Sequence, residues 1–191
     1  MLCATHASAQ SPVAAATGRT LDVSLGYSYM SRGDTHSNRV GLNGADASFT
    51  IGPSSRRLAL RADLGYVRAA NVLGSARHSD VFSYLAGPVL YPTTHRHFDT
   101  YIHALVGGAR VTGPILLNGG GFLSGAWVNK LGWAVGGGVE YWVSDSLAIR
   151  TGVDYLRTSY FDASLAIRGQ DNIRTTVTVV YFFGKRSRKR R

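Results

Sequence analysis

The stretch at positions 21–30, LDVSLGYSYM, alternates without a break: Leu21, Val23, Leu25, Tyr27 and Tyr29 share one face, and Asp22, Ser24, Gly26, Ser28 and Met30 the other. A period of two places successive side chains on opposite faces of a β-strand. The pattern recurs. In NGADASFTIG (43–52), Ala45, Ala47, Phe49 and Ile51 oppose Gly44, Asp46, Ser48 and Thr50. In LALRADLGYV (58–67), Leu58, Leu60, Ala62, Leu64 and Tyr66 oppose Ala59, Arg61, Asp63 and Gly65. LGWAVGGGVEYWV (131–143) sets Leu131, Trp133, Val135, Val139 and Tyr141 against glycines, Ala134 and Glu140. LAIRTGVDY (147–155) sets Ile149, Thr151, Val153 and Tyr155 against Arg150, Gly152 and Asp154. IRTTVTVVYFF (173–183) sets Ile173, Val177, Val179, Tyr181 and Phe183 against Arg174, Thr176 and Thr178. Two further segments, VFSYLAGPVLY (81–91) and TYIHALVGGARV (100–111), are apolar on both sides and declare no facing. The expectation is eight strands of about ten residues each.

The connectors carry a second pattern. Long SRGDTHSNRVG, AANVLGSARHSD, TGPILLNGGGFLSGAWVN and RTSYFDASLAIRGQD alternate with short GPSSRR, PTTHRHF and SDS. In an antiparallel meander, odd connectors lie at one end and even ones at the other. A soluble barrel has no reason to tie connector length to parity, whereas an outer-membrane barrel pairs short turns on one side with long loops on the other. The predicted class is therefore all-β, an eight-stranded antiparallel up-and-down transmembrane β-barrel. Its apolar face meets lipid, and Tyr27, Tyr29, Tyr66, Tyr141, Tyr155, Tyr181 and Phe183 form an aromatic girdle at the interfaces. The polar face lines a lumen that eight strands leave just wide enough for side chains to fill.

Residues 20–183 resemble the OmpA-like and opacity-protein-like eight-stranded outer-membrane barrels. The resemblance rests on the eight alternating segments, the connector parity and the ending IRTTVTVVYFF, in which Val177, Val179, Tyr181 and Phe183 alternate and close on an aromatic. That ending is similar to the terminal signal read by barrel-assembly machinery, although here GKRSRKRR follows it. The resemblance implies a bacterial outer-membrane location, no cofactor, and a monomer surrounded by membrane lipid and lipopolysaccharide. It also implies a role in membrane integrity or in surface interaction and adhesion through four long loops.

Composition sharpens this picture at the ends. The 191 residues have a mean hydropathy of −0.03, with 23 glycines and 10 tyrosines. No apolar run is long enough for a membrane-spanning helix. Ala7-Ser8-Ala9 before Gln10 resembles a signal-peptide cleavage end, so residues 1–19 read as a signal-peptide remnant and disordered N-terminus. Cys3 is the sole cysteine, which excludes an internal disulfide and a cysteine metal centre. The net charge of +10 resides largely in the last residues: KRSRKRR holds six of the 21 Lys and Arg. Residues 184–191 read as a basic disordered tail, with attraction to anionic lipid heads as its functional alternative. Nucleic-acid binding would require a cytoplasmic protein, against which the strand pattern speaks.

Several residues could carry chemistry. Asp22, Asp46, Arg61, Asp63, Glu140, Arg150, Asp154 and Arg174 all fall on the polar face. Buried charges require partners, so a lumen charge network plugging the barrel is expected; a narrow pore would instead need a water path past Arg61, Glu140 and Arg150. A lipid-modifying barrel enzyme would need histidine, serine and acid to converge. His78, Ser79 and Asp80 are adjacent, but neighbours on a strand point to opposite faces, and His103 within the fifth strand reads as an inward structural histidine. No catalytic residue is therefore assigned. His95 and His97 could share one face, yet in a turn without a third ligand they read as a solvated turn, and no metal site is assigned. The tripeptide at Arg32, Gly33 and Asp34 falls in the first long connector and reads as a charged loop, with cell adhesion as the alternative. Arg32, Arg39, Arg68, Arg77 and Arg168 are placed to meet lipopolysaccharide phosphates. A soluble ligand-binding barrel remains as the reading with the two faces reversed.

Overall fold

A computed structural model describes residues 19–33, 39–53, 57–70, 78–95, 97–112, 115–116, 122–123, 128–161 and 167–183. Eight long strands form the wall: β1 (Arg19–Gly33), β2 (Arg39–Pro53), β3 (Leu58–Ala69), β4 (Ser79–Thr94), β5 (Phe98–Thr112), β8 (Val128–Trp142), β9 (Leu147–Phe161) and β10 (Ile167–Phe183). Two-residue strands β6 (Ile115–Leu116) and β7 (Phe122–Leu123) pair with each other between β5 and β8. The wall is a closed barrel in the order β1-β10-β9-β8-β5-β4-β3-β2, antiparallel throughout. Its seam is complete, from Leu21 opposite Phe183 to Arg32 opposite Asn172. Closure leaves no strand edge with unpaired backbone groups, the condition for crossing hydrocarbon.

The strands are longer than the expected ten residues, running from 12 in β3 to 17 in β10. The cause is that pairing outlasts hydrophobic alternation. A 15-residue strand such as β9 is about 50 Å long, and with a tilt near 40° it stands well above an apolar band of about 25 Å. Ser31, Arg32 and Gly33 remain paired with Gly41, Val40 and Arg39 beyond the apolar segment. The connectors therefore shrink. Those at the loop end span 34–38, 70–78, 113–127 and 162–166, and those at the turn end 54–57, 95–97 and 143–146. Two of the four expected long loops, the first and the last, are thus mainly strand. The turn at 143–146 is closed by Val143 and Ser144 N–H groups donating to the Leu147 carbonyl, and the Ser144 hydroxyl accepts from Leu147 N–H.

The outer surface is apolar. Leu25, Leu60, Val106, Leu131, Val153 and Val179 are each more than half exposed, which only a lipid-facing wall accommodates. Residues 1–18 and 184–191, including the leader and tail expectations and Cys3, lie outside the described residues, as do His6, His36, Asp34 and Arg77.

Candidate functional site

The lumen is filled in tiers, and the middle tier is ionic. Arg174 on β10 donates through Nη1 to Asp46 (3.0 Å) and Asp63 (2.8 Å), and through Nη2 and Nε to Asp154 (2.7 and 3.0 Å). Arg150 on β9 donates to Glu140 through Nε (2.8 Å), to Asp22 through Nη2 (3.0 Å) and to the Ser48 hydroxyl (3.0 Å). Arg61 on β3 lies 3.8 Å from Glu140 and stands over the Tyr101 ring. His103 joins the two groups: its Nε2 is 3.0 Å from Asp154 Oδ1, an ion-pair distance, and its Nδ1 is 3.3 Å from Arg61 Nη1. A guanidinium N–H can only donate, so in the contact with Arg61 the ring nitrogen Nδ1 is the acceptor. All eight charged residues singled out from the sequence are buried on the lumen side and belong to this set of contacts.

Local sequence makes the room. A Cβ at Gly65 would stand 2.9 Å from Arg174 Nη1, and one at Gly136 would overlap Asp154 Oδ1. Glycine at these two positions leaves room for the Arg174 guanidinium and the Asp154 carboxylate.

Above and below, apolar clusters share the inward face with buried polar groups, Ser28, Thr158 and Asn172 toward the loop end and Asp99 and Thr178 toward the turn end. Toward the loop end, Met30, Leu42, Val67, Val81, Leu105 and Leu156 pack together with Leu85, Val111 and Ala134, each almost wholly buried. Toward the turn end, Trp142 packs edge-on against Phe182 beside Ala148 and Val180, and Tyr91 and Tyr101 pack with Ala59 and Val89. Trp142 Nε1 donates to buried Asp99 (2.8 Å), and the Tyr91 hydroxyl donates to Glu140 (3.0 Å). The expectation of small and polar residues inside is thus extended: the charged network holds the middle, while aliphatic side chains cluster toward one end of the inward face and aromatic ones toward the other. Sequence reading missed Asp99, Tyr91, Trp142 and His103's bridging position. A signal did exist, since Met30, Leu42 and Leu156 keep the parity of the polar set while being apolar.

The aromatic residues lie on the outer wall. Tyr27, Tyr29, Tyr66 and Tyr155 sit toward the loop end and Tyr141, Tyr181 and Phe183 toward the turn end, all exposed except half-buried Tyr155. Phe82, Tyr84, Trp133 and Phe98 extend the two rings. Four hydroxyls of the loop-end ring donate to side chains on other strands: Tyr27 to Asn43, Tyr66 to Asp80 (3.1 Å) and Tyr155 to Asp171 (2.6 Å) on the adjacent strand, and Tyr84 across β5 to Asn129 on β8 (3.0 Å). An amphipathic ring with its hydroxyl satisfied at one level fits a membrane–water boundary.

The remaining candidates separate. His78 Nε2 is 3.5 Å from Asp80, while the Ser79 hydroxyl donates to the Thr112 carbonyl and accepts from Arg32, so these three neighbours form no catalytic row. Arg32 and Gly33 belong to β1, not to a loop, and Arg32 reaches Ser79 Oγ (2.6 Å) on β4, three strands round the barrel. His95 stacks on Phe98 and His97 is exposed; among the described residues no group of His, Cys, Asp or Glu could hold a metal. Of the five arginines expected to meet lipopolysaccharide, Arg39 and Arg68 are exposed, Arg68 lying 3.5 Å from Asp80, and Arg168 lies in β10. Arg157, half exposed beside Asp171, joins them on the wall.

No protein-family model matches the chain, and no curated protein matches it. Solved structures do. Ail, the attachment invasion locus protein of Yersinia pestis, described in complex with the heparin analogue sucrose octasulfate, superposes with a TM-score of 0.57 at 14% identity, covering 86% of this chain and 99% of that one. Neisserial surface protein A superposes at 0.58 with 16% identity, covering 86% and 97%. The outer membrane protein OprG from Pseudomonas aeruginosa gives 0.53 at 11% identity, covering 87% and 97%. With its closed eight-stranded wall, two aromatic rings and charged lumen, the chain has the fold of the small OmpA-like outer-membrane β-barrels.

Proposed function

We propose that the chain is a non-enzymatic barrel of the bacterial outer membrane with a plugged lumen, contributing to membrane integrity or to surface interaction, adhesion included, through its loop end. The observation that carries this reading is the tiered lumen. Water following Arg61, Glu140 and Arg150 would meet the Met30, Leu42, Val81, Leu105 and Leu156 layer above and the Trp142, Phe182, Tyr91 and Tyr101 layer below. Clusters of large buried side chains at both levels obstruct a water path, which disfavours a pore. Among the described residues the enzyme reading has no anchor either: the two ring nitrogens of His103 face Asp154 and Arg61, and His78 faces Asp80.

What remains available is the outer surface. Arg39, Arg68 and Arg157 are exposed near or above the loop-end tyrosines, the level at which lipopolysaccharide phosphates would meet the wall. The heparin analogue held by Ail makes a sulfated saccharide the first surface ligand to test. Closure of the wall leaves no edge strand for pairing and suits a monomer, and the outward Val177, Val179, Tyr181 and Phe183 suit recognition by barrel-assembly machinery. Planar-bilayer recording on the refolded protein tests the plug: a silent membrane is expected, and sustained unitary conductance would remove this reading in favour of the pore. Display on a non-adherent bacterial host, with connectors 70–78 and 113–127 replaced by short turns, tests the loops. Loss of binding to immobilised heparin or to cells is expected, and unchanged binding would move the interaction off the loops.

A further inference from the structure

One chain of hydrogen bonds crosses the mouth of the lumen at the loop end. Arg32 Nη1 on β1 donates to the Ser79 hydroxyl on β4 (2.6 Å), and that hydroxyl donates to the Thr112 carbonyl on β5 (2.6 Å). In the order of the wall, β2 and β3 lie between Arg32 and Ser79, so the arginine spans the opening and not a neighbouring ladder. Each member stands directly on the aliphatic cluster. Arg32 is two residues beyond Met30 on the inward face of β1, Ser79 is two before Val81, and Thr112 is next to Val111. Val40, opposite Arg32, packs against the same cluster. The start of β4 is also held from its other face. Asp80 accepts from the Tyr66 hydroxyl (3.1 Å) and lies 3.5 Å from both Arg68 Nε and His78 Nε2. A strand end held on both faces gives Arg32 a fixed acceptor.

We propose that Arg32 and Ser79 form a latch that shuts the loop-end mouth over the aliphatic cluster. The hydrogen bond between them has a charged donor, the stronger class of such bonds, and its other partner is almost wholly buried at Ser79. With the bond made, the guanidinium lies across the opening and water is kept from Met30, Val81 and Val111. With it broken, the long Arg32 side chain is free to swing outward into water, and the cluster loses its cover. The same residues stand at the strand ends from which connectors rise. Arg32 is the last residue but one of β1, Ser79 opens β4 and Thr112 closes β5. Shutting the mouth therefore also fixes three strand ends of the loop face relative to one another. The latch rests on the closed wall of the barrel and is independent of what the loop end binds.

The test uses full-length protein refolded into lipid vesicles and treated with hydrogen peroxide, followed by mass spectrometry of the peptide that contains Met30. The Met30 side chain is 1% exposed, so its thioether oxidises at the rate set by opening of the mouth. Oxidation far slower than in urea-unfolded protein is expected for the unsubstituted chain. Ser79→Ala removes the acceptor while leaving the charge and the Arg32 side chain in place. It should speed Met30 oxidation about ten-fold or more, the shift in open population on losing a hydrogen bond to a charged group. Arg32→Ala should do the same, whereas Ser79→Thr, which keeps the hydroxyl, and Arg157→Gln on the outer wall should stay slow. Fast oxidation of the unsubstituted chain overturns the latch, as does a Ser79→Ala protein whose Met30 stays protected. Acceleration by Arg32→Ala alone would make the arginine a passive cover, and equal acceleration by Ser79→Thr or Arg157→Gln would remove the hydroxyl from the account; either result also overturns it. A heat-dependent shift in SDS gels, read on the same samples, separates loss of the latch from loss of the barrel.

Discussion

At Arg174 one guanidinium meets three carboxylates within 3.0 Å, with its side chain almost wholly out of water. Removing it leaves Asp46, Asp63 and Asp154 together without their cation. Arg174→Ala is expected to destabilise the barrel by about 3–5 kcal/mol, the range for breaking a buried pair, as measured by urea unfolding in detergent micelles. Arg157→Ala is the control: its partner Asp171 is 3.8 Å away, both side chains are at least half exposed, and the loss should stay below about 1 kcal/mol. Equal losses would mean that the lumen is wetter than its packing implies. The inward placement of these charges was legible in the sequence, because alternation assigns a face. Their pairing was not. Arg174 is 128 residues from Asp46 and 111 from Asp63, and only closure of the wall brings them within reach.

Strand β10 represents the elements that were easy to read. Val177 and Val179 stand outward at mid-belt, while Thr176 and Thr178 line the lumen. Val177→Arg is expected to cost about 2–4 kcal/mol, the penalty for a cation near the bilayer midplane, in folding titrations with lipid vesicles; on a water-facing wall the change would be nearly neutral. Strands β4 and β5 were the hard ones, and for a physical reason. Val81, Leu85 and Val89 point inward and Phe82, Tyr84 and Leu90 outward, so both solvents of β4 are apolar and the period of two vanishes. The same strand carries Pro88 and Pro92, which lack the N–H that a ladder needs, and the register with β5 shifts between Leu90 and Thr93. Strand length was misjudged because backbone pairing continues above the belt, where outward residues such as Arg157 and Arg39 no longer need to be apolar.

For the whole molecule, closure predicts resistance to denaturation by SDS. Unboiled protein should migrate differently from boiled protein, because every strand of the wall is paired on both sides and the detergent finds no open edge there; identical mobility would contradict a membrane barrel. The number of wall strands, their antiparallel order and the lipid-facing side were all determined by the sequence alone, since each follows from local periodicity and connector parity. The tertiary structure alone decided how the lumen is filled: an ionic middle between an aliphatic and an aromatic cluster, a histidine bridging two arginine clusters, and an arginine from the first strand strapped to the fourth. Those features depend on which residues a closed wall brings face to face across the barrel, and neither local propensity nor spacing along the chain encodes that distance.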